Sequence, residues 1–209
     1  MRRLGGDSAT DLGVRVITPA SLRWLVRNRA CTPWHLIRYW RFLRLRLANP
    51  HVITLGMVYL DAGVEIYARR DYGRLILGRS IHVGRGTAIR CHEGTLRIGD
   101  HAVFGRRDTV NCYLDVEIGE AALLADDVYI SDFDHRHERV DVPIKDQGIA
   151  KERVRVGDDV WLGVGTVVTR GVVIGSGTVV GANSVVTRDL PAYSVAVGAP
   201  ARVIRRRRP

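Results

Sequence analysis

Aliphatic residues recur at every sixth position toward the C-terminal end of the chain. The positions that share this spacing are Val156, Leu162, Val168, Ile174, Val180 and Val186. A period of six matches neither an α-helix, which repeats about every 3.6 residues, nor a single strand, which repeats about every 2. The pattern therefore predicts a structural repeat, in which each unit forms one short face of a coil and points one aliphatic side chain inward.

Glycine directly follows four of these aliphatic positions, at Gly157, Gly163, Gly175 and Gly181. Because glycine adopts positive φ angles without a steric penalty, we expect these residues to turn the corners between faces. Successive coils would then stack through parallel strand pairing at about 4.8 Å. The inward side chains would form a column of valine, isoleucine and leucine.

The same spacing extends through the middle of the chain, so the coil is predicted to span residues 51–190. Three further sets keep it: Leu77, Val83 and Ile89; Ile98, Phe104 and Val110; and Ile118, Leu124 and Ile130. The frame slips between sets, and we interpret each slip as a corner with extra residues. It breaks after Ile130, where residues 131–155 are charged and contain few aliphatic positions, so this segment is predicted to be a loop that leaves the coil.

A basic, tryptophan-rich segment at residues 21–50 precedes the coil and is predicted to be helical. Thr32 and Pro33 suit the N-cap and the first helical position, and Asn49 followed by proline ends the helix. One helical stripe contains Leu36, Trp40, Leu43 and Leu47, and arginines occupy much of the remaining surface. Two interpretations stay open: the helix packs on the coil or a neighbouring subunit, or it lies on an anionic membrane near a lipid-linked acceptor.

Composition limits the classes of partner. The chain has 209 residues, enough for one domain, and its net charge of +10 favours polyanionic partners such as an anionic membrane or a phosphorylated cofactor. No motif that recognises bases is present, so nucleic acid is not expected. The three cysteines show no paired spacing and the N-terminus has no apolar signal region, so we expect a reduced, cytoplasmic setting. Residues 1–20 are expected to be mobile, and residues 191–209 to form a C-terminal extension with a basic tail.

Four ordered motifs resemble the hexapeptide-repeat acyltransferases, and most closely the maltose, galactoside and polysaccharide O-acetyltransferases. The motifs are Val160–Gly163, Gly171–Gly175, Val180–Pro191 and Gly198–Ile204. The resemblance implies a mainly β fold, a left-handed parallel β-helix, that forms a homotrimer with sites between subunits. It also implies acetyl-coenzyme A, or another acyl-coenzyme A, as co-substrate with no metal required, and an excursion at residues 131–155 that carries the catalytic histidine.

Acyl transfer to a hydroxyl needs a base, and a histidine with a pKa near neutrality suits that role. In the resembling enzymes the base ends a run of the form Ile-Ser-Asp-x-x-His. Residues 130–135 match this run, so His135 is predicted to be the general base, and His137 replaces it if the loop is shifted by two residues. Asp132 and Asp134 are predicted to orient the imidazole or contact a saccharide, or else to make only a loop turn.

The remaining candidate residues also follow from the resemblance. Trp161, Gly163 and Val164 would lie near the thioester, and Gly163 or its neighbour would supply the N–H group that stabilises the oxyanion. The rest of the cofactor groove would consist of Ala182, Thr187, Arg188, Arg202 and Arg205. Asn111 and Tyr113 would contact the acceptor. Corner geometry alone also explains Gly163, Ala182 and Asn111, and an apolar cap on the coil edge also explains Trp161.

We therefore expect an acyl-coenzyme A-dependent O-acyltransferase, and specifically an acetyltransferase that acts on a saccharide hydroxyl. The alternatives are a sugar N-acyltransferase, a metal-dependent coil similar to the γ-type carbonic anhydrases, and a non-catalytic scaffold. The metal-dependent alternative needs three histidines at one corner. His82, His92 and His101 are not spaced by multiples of a coil, so no metal site is predicted.

Overall fold

Three β-sheets, parallel except for the last strand of one of them, form the faces of a three-sided coil in the computed structural model, which describes residues 32–207. Two of the sheets contain six strands and one contains eight. The chain visits the three sheets in turn, so each strand pairs with the corresponding strand of the next coil. The predicted mainly β architecture of stacked parallel coils is confirmed, and it is consistent with the left-handed β-helix that the resemblance implied.

Some predictions fall outside the described residues. These are the mobile segment at residues 1–20, the first part of the helical segment at residues 21–31, and the last two residues of the basic tail.

Helix α1 (Pro33–Ala48) precedes six complete coils. Coils 1 to 3 contain β1 (Ile53–Thr54), β2 (Val58–Leu60), β3 (Glu65–Ala68), β4 (Gly73–Leu77), β5 (Ile81–Val83), β6 (Ala88–Cys91), β7 (Gly94–Ile98), β8 (Val103–Phe104) and β9 (Thr109–Cys112). Coil 4 contains β10 (Asp115–Ile118), β11 (Leu123–Leu124) and β12 (Tyr129–Ser131). Next come the paired strands β13 (Phe133–His135) and β14 (Ile149–Lys151), joined through a 3-10 turn at Ile144–Asp146.

Coils 5 and 6 resume with β15 (Val154–Val156), β16 (Trp161–Leu162), β17 (Val167–Val168), β18 (Val173–Ile174), β19 (Val179–Val180) and β20 (Val185–Val186). The last strands are β21 (Ser194–Val197) and β22 (Arg202–Arg206). Sheet A contains β1, β4, β7, β10, β15 and β18; sheet B contains β2, β5, β8, β11, β16, β19, β21 and β22; and sheet C contains β3, β6, β9, β12, β17 and β20.

The core consists of three columns of side chains, one on each sheet, in which register partners lie above one another. They are Leu77, Ile98, Ile118, Val156 and Ile174 on sheet A; Leu60, Val83, Phe104, Leu124, Leu162 and Val180 on sheet B; and Ile66, Ile89, Val110, Ile130, Val168 and Val186 on sheet C. None of these side chains is more than 8% exposed. The inward positions predicted from the six-residue period are therefore confirmed.

The slips in the period fall at the corner between sheets C and A, where extra residues widen the turn. β6 and β9 continue past the inward Ile89 and Val110 to Cys91 and Cys112, which are buried register partners with free thiols. The jump from Ile89 to Ile98 is therefore a corner widened by a buried cysteine.

The glycines that follow the inward residues have no positive φ angles, which corrects the prediction that they turn the corners in this way. Positive φ angles instead occur two residues later, at Asp159, Gly165, Gly177 and Asn183. Glycine is required at position 163 because the backbone of the next coil lies very close. A Cβ built there would lie 2.6 Å from the backbone nitrogen of Ala182. Glycine at such positions allows consecutive coils to stack at strand-pairing distance.

Helix α1 packs on the N-terminal end of the coil, with Thr32 at the N-cap, Pro33 in the first turn and Asn49 at the C-cap, as predicted. Its buried residues are Phe42 and Leu45, which belong to the same hydrophobic cluster as the coil core. The predicted apolar stripe lies on the opposite side and faces solvent. Among residues 32–207, no helix is both long enough and apolar enough to span a bilayer.

Two segments depart from the predicted outline. The excursion at residues 131–155 contains an antiparallel strand pair, and the chain rejoins sheet A as early as Val154. After Pro191 the chain does not leave the coil at once, because β21 joins sheet B beside β19. Only then does β22 fold back antiparallel to β21 and cover this edge of the sheet.

Candidate active site

His135 lies at the end of β13, on a hairpin that projects from the corner between sheets C and A. Its register partner across the hairpin is Ile149, and its side chain is exposed. The ring of Phe133 contacts the imidazole edge-on, with the ring centroids 6.3 Å apart. Within residues 32–207 no hydrogen bond engages the His135 imidazole. A ring that is exposed and unoccupied in this way is available to a substrate.

His137, the other predicted base, also lies in the exposed part of the excursion. Its Nδ1 atom is 3.1 Å from the backbone oxygen of His135. This ring therefore contacts the hairpin backbone, whereas the His135 ring extends from it.

Asp132 is buried at the base of the hairpin. Its two carboxylate oxygens accept backbone N–H groups from Tyr113 at 2.8 Å, Leu114 at 2.7 Å and Asp115 at 2.8 Å. The side chain has no exposed surface, so it is not presented to a saccharide from solvent. Asp132 instead fixes the preceding coil to the point at which the hairpin begins.

Asp134 lies beside the predicted base on the exposed surface, and its carboxylate faces a basic residue of coil 5. Arg170 Nε donates to Asp134 Oδ2 at 2.9 Å, and the same guanidinium pairs with Glu152 just after β14. Arg170 therefore connects both strands of the hairpin to the corner of the following coil.

A second ion pair holds the hairpin from the opposite side. Lys151, the last residue of β14, pairs with Glu93 at the corner of coils 2 and 3. The Lys151 ammonium group lies 5.6 Å from the centre of the Tyr113 ring, a cation–π contact, and hydrogen bonding to it lowers the pKa of Glu93. We call these two sets of contacts, Lys151–Glu93 and Arg170–Asp134–Glu152, the hairpin clamp.

A column of aromatic rings leads along the same corner to the hairpin. Tyr67, His92, Tyr113 and Phe133 follow one another in coils 1 to 4, with consecutive centroids 5.5, 4.7 and 4.4 Å apart. Burial and then the charge of Arg90 lower the pKa of His92, which favours a neutral ring in the stack. Asn111 lies nearby on β9, half-buried, with Ser131 as its register partner.

The residues predicted to contact the thioester lie on sheet B and at the next corner, between sheets B and C. Trp161 is 48% exposed on β16. The Gly163 N–H donates to Val180 O at 2.8 Å as part of the coil ladder. Of the two donors predicted for the oxyanion, Gly163 and its neighbour, Gly163 is therefore already engaged. The N–H groups of its neighbour Val164 and of Ala182 have no acceptor within residues 32–207.

The residues predicted to contact the rest of the cofactor lie elsewhere. Thr187 and Arg188 are exposed and follow β20 at the corner between sheets C and A, whereas Arg202 and Arg205 are exposed on β22. Arg202 donates to the neighbouring Ala201 O at 2.9 Å. Within one chain, the predicted cofactor residues therefore lie mainly at two different corners of the coil, and sheet C separates these corners.

The family profile described as "Bacterial transferase hexapeptide (six repeats)" matches residues 153–188. A probable acetyltransferase of Mycobacterium tuberculosis is 54% identical over 207 residues, which cover 99% of this chain and 69% of that relative. The chain belongs to the hexapeptide-repeat acyltransferases.

Two further comparisons extend this result. Nodulation protein L of Rhizobium meliloti is 40% identical to this acyltransferase over 127 residues, which cover 58% of it and 68% of the relative. A solved structure of a mutant N-acyltransferase from Bacillus cereus, in complex with dTDP and coenzyme A, matches with a TM-score of 0.68 at 18% identity. The match covers 79% of the acyltransferase and 89% of the solved chain, and at this identity it concerns the fold alone.

Apart from Asp134, the residues of the clamp were not predicted from the sequence of this acyltransferase. Lys151 and Glu93 are 58 positions apart, and Arg170 and Asp134 are 36 apart, so only the register of the coils brings each pair together. The sequence nevertheless contained a signal for these ion pairs. A residue at a corner of one coil lies beside the residue at the same corner of the next coil, so opposite charges at matching corners can pair. Within residues 32–207 no group of three or more His, Cys, Asp and Glu side chains is arranged to hold a metal ion.

Proposed function

We propose that this acyltransferase moves an acyl group, and specifically acetyl, from acyl-coenzyme A to a saccharide hydroxyl, with His135 as general base. The observation that carries the proposal is the position of His135 at the end of β13, in a hairpin that ion pairs clamp to the coil. Its imidazole is exposed and has no hydrogen-bond partner in the described chain. The membership of the chain in an acyltransferase family supports the reaction class.

The reaction needs one base and no acyl-enzyme. The acceptor oxygen attacks the thioester carbonyl carbon, so that a C–O bond forms and the C–S bond breaks. The hydroxyl proton passes to the neutral imidazole of His135 and then to the departing thiolate, which leaves as the thiol of coenzyme A. His135 returns to its neutral form, and the products are an ester and free coenzyme A.

The oxyanion requires a donor, and Val164 is the residue we assign to it. Its N–H has no acceptor in the described chain, whereas the N–H of Gly163 is used by the ladder. The unused N–H of Ala182, one coil further on, would lie along the same groove and suit an amide carbonyl of the pantetheine arm. Trp161 would form an apolar wall, and the phosphates would meet the exposed guanidinium groups of Arg188, Arg202 and Arg205.

We place the site between subunits of a homotrimer. His135 lies at one corner of the coil and the Val164 N–H at another, and the face between them belongs to the same chain. A neighbouring subunit that brings its second corner against the first would assemble both halves of the site, as three-fold rotation of a three-sided coil permits. Asn111, Tyr113 and the exposed side of Asp134 would then line the acceptor side, and the free thiols of Cys91 and Cys112 support a reducing compartment such as the cytoplasm.

Titration calorimetry with acetyl-coenzyme A tests the cofactor side. We expect wild type to bind, and Arg188→Glu to bind about tenfold more weakly or worse, because a charge-assisted contact to a phosphate is replaced by repulsion. Arg44→Glu, an exposed arginine on α1, is the matched control and should bind like wild type. Absence of binding to the folded wild-type protein would overturn the proposal, and comparing hydroxyl with amino sugars as acceptors separates O- from N-transfer.

A further inference from the structure

The solvent-facing side of α1 is more apolar than its buried side. Its outer face consists of Leu36, Ile37, Trp40, Leu43 and Leu47. Trp40 is 62% exposed and Leu47 is 73% exposed, whereas the helix is anchored by Phe42 and Leu45 on the other side. Contiguous apolar surface of this kind is unusual on a protein that has no partner there.

The charged residues of α1 all have one sign. Helix α1 contains four arginines and no acidic residue. Arg38 is directed toward the coil and pairs with Asp61 at 2.8 Å, and Arg41 donates to Leu60 O at 3.2 Å. Arg44 and Arg46 are exposed and form no ion pair with residues 32–207. An occupant of this face must therefore accept apolar side chains and bring negative charge.

Three occupants are conceivable, and charge distinguishes them. The preceding segment, residues 1–31, contains six arginines and two aspartates, so it would add positive charge to an already positive face. A second copy that met this face through its own α1 would bring Arg44 and Arg46 against the same arginines and meet the same repulsion. An anionic bilayer offers negative headgroups to the arginines and an apolar layer to the leucines and tryptophan.

We propose that the outer face of α1 docks this protein on an anionic lipid bilayer, with Trp40 and Leu47 inserted below the headgroups and Arg44 and Arg46 among them. Helix α1 lies at the N-terminal end of the coil, away from the hairpin of His135 between coils 4 and 5, so docking leaves the proposed active site accessible. The proposal does not depend on the acyl-transfer reaction.

Sedimentation with vesicles of phosphatidylcholine, with and without phosphatidylglycerol, tests docking of the full chain. We expect binding to the anionic vesicles only, and weakening as salt is raised. Arg44→Gln with Arg46→Gln should lower the partition constant about fivefold per arginine. Arg85→Gln with Arg106→Gln removes the same charge from the surface of the coil and should change it much less.

A second pair of variants tests how much the apolar side chains of α1 contribute to vesicle binding. Trp40→Ser with Leu47→Ser should abolish binding to anionic vesicles while the circular dichroism spectrum is retained, because both side chains are exposed. Val140→Ser with Ile144→Ser alters exposed apolar residues of the excursion and should bind like wild type.

Two results would overturn the proposal: wild type fails to sediment with anionic vesicles at low salt, or the serine variant on α1 sediments as well as wild type. If wild type ignores vesicles and light scattering shows that the serine variant loses mass from an oligomer, the outer face is an interface between copies.

Discussion

The coil and the hairpin that leaves it are stabilised by opposite kinds of interaction. In the coil, three columns of aliphatic side chains are buried and the strands pair in strict register. In the excursion between coils 4 and 5, most residues are exposed, and ion pairs to neighbouring coils hold the strand pair in place. The residue that we assign to the chemistry, His135, belongs to the second region.

This difference separates stability from catalysis. Buried aliphatic packing contributes most of the folding free energy, and exposed ion pairs contribute little. The coil can therefore tolerate changes in the hairpin, whereas the geometry of the proposed active site depends on a few polar contacts. Changes in the two regions should thus affect different measurements, and four predictions follow this separation from the largest effect to the smallest.

His135→Asn should lower kcat by about 10²–10⁴ while leaving the melting temperature near that of wild type. The reason is that the imidazole is the only base assigned to the reaction, and removing a general base typically has an effect of this size. Steady-state kinetics with acetyl-coenzyme A and a saccharide, alongside thermal unfolding, measures both quantities. His137→Asn is the matched control, and activity near wild type for His135→Asn with loss for His137→Asn would move the base to the second histidine.

Leu124→Ala should lower the free energy of unfolding by about 2–5 kcal/mol, because it leaves a cavity in a column between Phe104 and Leu162. Two matched truncations should have little effect: Leu123→Ala, an exposed neighbour on the same strand, and Ile144→Ala, an exposed residue of the excursion. Chemical denaturation measures all three. A loss at Ile144 as large as that at Leu124 would show that the excursion is part of the cooperative core.

The fold was largely predictable because a coil repeats one requirement many times. Each inward position must be apolar, and this leaves a six-residue period that survives local slips, such as that between Ile89 and Ile98. The period did not predict the role of the glycines. Positive φ angles occur two residues later than expected, at positions such as Gly165, whereas Gly163 is required because the backbone of the next coil lies too close for a side chain.

The site was less predictable because its contacts join distant positions. The resemblance drew attention to His135, but a motif cannot show that Asp132 is buried against three backbone N–H groups. It also cannot show that Lys151 and Arg170 clamp the hairpin. The outer face of α1 illustrates the same limit, since a helical stripe indicates that residues share a side and not which side meets the core.

Like Asp132, Asp108 is a fully buried carboxylate, and it makes the stability of the coil depend on pH. The side chain is fully buried, Oδ1 accepts the Val128 N–H at 2.9 Å, and Oδ2 has no partner in the described chain. Burial, with smaller contributions from Asp126 and Asp127, raises its pKa from 3.8 to about 7. The folded state therefore favours the neutral acid, so stability is greatest below the unfolded pKa and falls as the pH rises toward 7.

Asp108→Asn should remove this loss. We expect the variant and wild type to melt at similar temperatures at pH 4, and the variant to melt several degrees higher at pH 8, where wild type must bury a carboxylate. Differential scanning fluorimetry at the two pH values measures the difference, and Asp71→Asn, at an exposed position, is the control. A gap between Asp108→Asn and wild type that is the same at both pH values would refute the assignment.

The clamp should produce the smallest effect, and one confined to kinetics. Arg170→Gln releases Asp134 and Glu152, so the hairpin can shift while the coil remains intact. We expect kcat to fall about tenfold with little change in the KM for acetyl-coenzyme A, since misplacement of a catalytic group by even 1 Å is costly. Arg170→Lys should restore part of the rate, and Arg139→Gln, which breaks an exposed pair with Asp141 in the same excursion, should have no effect. If Arg170→Gln instead lowers the melting temperature as Leu124→Ala does, Arg170 supports the coil and not the position of His135.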